Sequence, residues 1–70
     1  MGCPEQACNQ HQAALAIASR SGDRYEQARA HEALARSHAA TGDSRQARLH
    51  QRTAQILYTN LGVPEAARAL

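Results

Sequence analysis

The stretch "HAATGDSRQARLH", residues 38–50, decides the fold. An alanine-rich, helix-favouring run stops at Gly42-Asp43 and resumes immediately. A glycine can take the left-handed backbone conformation that closes a helix at its C-terminus. The following aspartate can accept the unpaired amide hydrogens of the next first turn. Three residues on, Gln46 supplies the reciprocal half of a capping box. Stop and start chemistry overlap within two residues, so the sequence predicts a tight hinge between two helices.

The same punctuation recurs on either side. Gly22-Asp23, with Glu26 three residues later, divides "ASRSGDRYEQARAH". Gly62 is followed by Pro64, which suits a first helical position because its missing N–H would have no partner there; Pro4 suits the same role at the N-terminus. The three glycines are evenly spaced. This spacing predicts helices near 4–20, 24–40 and 44–60, and a truncated helix from about 64. Residues 1–10 form a lead-in and helix start, and 11–70 a repeat region. Ala28, His31, Leu34, Ala35 and His38 share one helical stripe; Ala47, Ala54 and Leu61, with Leu57 and Tyr58 between them, form another. No segment has the alternating, β-branched pattern of a strand. The expected class is all-α, and hinges this short fold consecutive helices back antiparallel.

Composition sets limits. Of the 70 residues, 43% are hydrophobic, but most of these are alanine. The large aliphatics are Leu15, Ile17, Leu34, Leu49, Ile56, Leu57, Leu61, Val63 and Leu70, and Tyr25 and Tyr58 are the aromatics. A core this thin leaves a marginal monomer, so self-association is expected. All eight basic residues are arginine, and the net charge of +2 is too small to support direct nucleic-acid contact. No apolar run approaches a membrane span of about 20 residues. "MGCPEQAC" lacks the apolar core of a signal peptide, and Gln6 stands where myristoylation wants Ser or Thr. The expected compartment is therefore the cytoplasm.

The unit that repeats is a helix pair of about 40 residues, of the solenoid kind. "ALARSHAATGDSRQARLHQRTAQI" resembles a tetratricopeptide (TPR) repeat. Leu34 and Ala35 stand at the inner crossing, Gly42-Asp43 at the turn, and Ala47 and Ala54 on the second helix. His38 and Gln51 stand where that family usually has aromatics. The longer phrasing from Ser21 to Leu70 resembles TPR arrays at the C-terminal end of large actinobacterial transcriptional regulators. The resemblance implies an antiparallel α-solenoid fragment that binds a protein or peptide partner. It also implies that Arg29, Glu32, Arg36, Ala39 and Ala40 face the concave groove, the arginines holding a carboxylate. Gly22, Asp23, Gly42, Asp43, Gly62 and Pro64 are turn and cap residues.

Other constellations are weaker. Arg29, Glu32 and Arg36 also have the spacing of exposed intrahelical ion pairs. Cys3, Cys8 and His11 lack a fourth ligand and the two-to-four-residue cysteine spacing of zinc sites, which fits free thiols better; no metal or cofactor is expected. His31 and His38, seven residues apart on one face, read either as metal or pH-sensing groups or as packing residues. Tyr25 and Tyr58 read as half-buried, with hydroxyls reaching water. No Gly-rich phosphate loop, paired-carboxylate pocket or nucleophile elbow is present, so catalysis is not expected. The leading function is a non-enzymatic interaction module. The alternatives are a small nucleic-acid-associated or metal-responsive regulator, or a fragment of a larger transcriptional regulator.

Overall fold

The computed structural model describes residues 4–64. It contains three helices, α1 (Pro4–Ser21), α2 (Arg24–Ala40) and α3 (Ser44–Leu61). Among the described residues there is no strand, and no helix is long and apolar enough to cross a membrane. The helix expected from residue 64 onward, Leu70 and Cys3 lie outside the described residues, as does the side chain of Cys8.

Each helix closes the same way. At the first hinge, Gly22 N–H donates to Ser19 O and Asp23 N–H to Ala18 O. At the second, Gly42 N–H donates to Ala39 O and Asp43 N–H to His38 O. At the third, Gly62 N–H donates to Thr59 O and Val63 N–H to Tyr58 O. This is the paired-bond pattern of the Schellman motif, and Gly22, Gly42 and Gly62 adopt φ of 74°, 84° and 69° to make it.

Asp23 and Asp43 serve both helices they join. Their amides complete the closure of one helix while their carboxylates start the next. Asp23 Oδ1 accepts from Glu26 N at 3.0 Å, and Asp43 Oδ1 from Gln46 N at 3.2 Å. The reciprocal half of the expected capping box does not form at either hinge. The amide it would need is already donated to the preceding helix.

α2 packs against both α1 and α3, whereas α1 and α3 do not contact each other among the described residues. The arrangement is an open staircase rather than a closed three-helix bundle, as expected of a repeat unit. Its seams are lined largely by alanine: Ala18, Ala28, Ala30, Ala35 and Ala54 are buried. Small side chains let helix axes approach closely.

Two large side chains fill the core, Leu34 at 0% exposure and Tyr58 at 1%. Tyr58 packs with Ala28 and Ala54, and Tyr25, Leu57 and Val63 border them. The expectation that the Tyr58 hydroxyl reaches water is overturned. Its ring is enclosed, and the hydroxyl donates to Glu32 Oε1 at 3.0 Å. Tyr25 meets it edge-on, with centroids 6.0 Å apart. Leu61, expected on the α3 stripe with Ala47 and Ala54, is exposed, as are Ile17, Leu49 and Ile56.

Candidate functional site

A groove of about 570 Å³ lies between α1 and α2. Ala30 and Ala33 of α2 and Ala14 and Ala18 of α1 lie along it, so little side-chain volume occupies the space. Ile17, 61% exposed, supplies an apolar edge. Arg29, Glu32 and Arg36 line the α2 side, His11 the α1 side, and Asp23 and Glu26 the hinge end.

Three of the five residues expected to face the groove therefore line this one. Ala39 and Ala40 do not; they are exposed at the C-terminal end of α2. At 100° per residue they continue the same rows, Ala40 after Arg29 and Arg36, and Ala39 after Glu32.

The charges in the groove are unequally engaged. Asp23 spends a carboxylate oxygen on the α2 N-terminus and Glu32 one on Tyr58. The Arg29 guanidinium lies 6.0 Å from the Tyr25 ring centroid, within reach of a cation–π contact. The contact between His38 Nδ1 and Asp43 Oδ2, at 4.0 Å, involves neither Arg29 nor Arg36. The groove thus sets two arginines beside three carboxylates, those of Asp23, Glu26 and Glu32, over a small-residue floor; the arginines can hold a carboxylate of an extended chain.

A second cluster lies in the α2–α3 seam. His31 Nδ1 and His50 Nδ1 are 2.9 Å apart, and their ring centroids 5.1 Å. That difference leaves about a ring radius on each side, so the nitrogens meet head-on. One must donate a proton and the other accept it, which two imidazolium rings cannot do. His38 stacks on His50 with centroids 5.4 Å apart and an interplanar angle of 1°.

Burial first, and the neighbouring His50 second, lower the pKa of His31. Burial first, and His38 second, lower that of His50. His31 and His38 are thus half-buried seam residues, and His38 fills an aromatic position by stacking. His50 was not singled out in the sequence. Its place between Ala47 and Ala54, on the inward stripe of α3, is the signal that would have found it. Among the described residues, no group of three or more His, Cys, Asp or Glu is arranged to hold a metal. Tyr25, expected to be half-buried, is so.

Consecutive antiparallel hairpins, alanine seams and a groove along one side define a helical-repeat protein. The tetratricopeptide repeat model matches residues 1–63, and the chain belongs to that family. No curated protein and no solved structure matches it. As a TPR chain it has the fold of a helical-repeat protein–protein interaction module.

Proposed function

We propose that this chain binds an extended, acidic peptide segment of a partner protein along the α1–α2 groove, as part of a regulatory assembly. The observation that carries the reading is the groove itself. Arg29 and Arg36 stand one above the other beside an alanine floor, with Ile17 opposite. Carboxylates of the ligand pair with the arginines, its backbone lies over Ala30 and Ala33, and an apolar side chain covers Ile17. Ala39 and Ala40 extend the track toward the α2 C-terminus, where small side chains keep it open. A regulatory setting, within or beside a transcriptional regulator in the cytoplasm, rests on the sequence resemblance to actinobacterial arrays.

The test is calorimetry with an extended, proline-flanked peptide carrying two acidic residues. Arg36→Ala should raise Kd about three- to tenfold, with helix content unchanged, as for an exposed interfacial charge. Unchanged affinity would remove Arg36 from the site, and no binding to the unsubstituted protein would remove the groove.

A further inference from the structure

The face of α3 turned away from α2 has a character the groove does not share. Leu49 and Ile56 are 52% and 53% exposed. They are seven residues apart, two turns along one line of the helix, on the side opposite the buried Ala54 and Tyr58. Exposed Arg45, Arg48 and Arg52 lie along one side of this line, and together they border a shallow recess of about 680 Å³. α3 contains no aspartate or glutamate to balance these charges. Isolated exposed aliphatics need no explanation, but a Leu–Ile pair in register beside a row of three like charges forms a pattern.

We propose that this outer face of α3 docks an acidic amphipathic helix of a partner protein, independently of the α1–α2 groove. The occupant would place two apolar residues seven apart over Leu49 and Ile56, with carboxylates beside Arg45, Arg48 and Arg52. Apolar anchors spaced by whole turns are how one helix reads another. The flanking charges set orientation and speed encounter.

Charge complementarity selects this occupant over the others. A second copy meeting α3 with its own α3 would oppose three arginines to three. On α2, Glu26 is exposed but lies one turn from Arg29, and Glu32 is engaged by Tyr58, so that helix does not offer a row of carboxylates to three arginines. A nucleic-acid backbone would press phosphates onto Leu49 and Ile56 and gain few cation contacts for it.

The probe is a fluorescent synthetic helix with leucines seven residues apart and glutamates on both flanks, beside a twin with Gln for every Glu. Fluorescence anisotropy should show saturable binding of the Glu peptide that weakens with added salt. The Gln twin should bind at least about tenfold more weakly. Arg45→Gln/Arg48→Gln/Arg52→Gln and Leu49→Ser/Ile56→Ser should each lose a similar factor, with circular dichroism unchanged because all five side chains are exposed. Arg29→Gln/Arg36→Gln should leave this affinity unchanged, which separates the face from the groove.

Equal binding of the two peptides, or loss only in the groove variant, would overturn the proposal. So would binding of duplex DNA or phosphatidylserine vesicles through these arginines without binding of the Glu peptide. Dimerisation abolished by Leu49→Ser/Ile56→Ser would likewise assign the face to a second copy.

Discussion

Removing the Tyr58 hydroxyl tests the core and the groove together. In Tyr58→Phe the ring keeps its packing against Ala28, Ala54 and the Tyr25 edge. What is lost is the 3.0 Å donation to Glu32. A hydrogen bond to a charged group contributes about 1.5–3 kcal/mol. Glu32 is half-buried and partly hydrated, so solvent screening reduces this to about 1 kcal/mol. In a chain of this size that corresponds to a fall of about 4–8 °C in Tm.

Tyr58→Ala removes the ring as well and should cost about 3–5 kcal/mol. With total stability of about 0.05–0.15 kcal/mol per residue, a 70-residue chain has about 3.5–10 kcal/mol, so this loss removes about a third of it or more. Thermal melts by circular dichroism read both variants. Glu32→Gln in each background closes a double-mutant cycle that isolates the pair. If Tyr58→Phe melts with the unsubstituted protein and the cycle gives no coupling, the Tyr58–Glu32 bond does not stabilise the fold. The account of how Glu32 is held at the groove would then fail.

Two further outcomes are expected. His31 and His50 have lowered pKa values, so the unfolded chain binds more protons than the folded one below the ordinary histidine value of about 6.5. Stability should therefore be full above that value and decline as pH falls through it. Melts from pH 7.5 to 5 should show the decline, and His31→Asn or His50→Asn should flatten it; an unchanged slope in both would exclude the pair. At the second hinge, Gly42 has φ of +84° and open space around an added Cβ. Gly42→Ala should then cost about 1–2 kcal/mol through backbone strain alone, and Gly42→Asn less, by urea denaturation.

The hinges were legible because their information is local. Gly42 and Asp43 carry both the closing and the opening signal within adjacent positions, and helices of the expected kind follow from them. The fate of individual apolar residues was not local. Leu34 and Ile17 are both branched aliphatics in alanine-rich helices, yet one is fully buried and the other largely exposed. Only the position of a neighbouring helix distinguishes them. Tyr58 was misjudged for the same reason: its hydroxyl finds Glu32, twenty-six residues away.

The groove was partly legible. The resemblance placed Arg29, Glu32 and Arg36 on one side, but the opposite wall comes from α1, through His11, Ala14 and Ile17. No pattern within α2 specifies those residues. The capping-box expectation failed through competition, since Schellman closure takes the aspartate amide first. That competition appears only when two motifs are laid over the same residue.

Among the described residues the outer helices do not touch, and this has a mechanical consequence. A closed bundle resists bending because every helix braces the other two. Here α1 and α3 are each braced by α2 alone, and the middle helix is the shared axle of two alanine seams. The spread between the outer rods is the sum of two independent tilts, so modest rotations at each seam add into a large change in curvature. With no third seam, nothing among the described residues couples one tilt to the other.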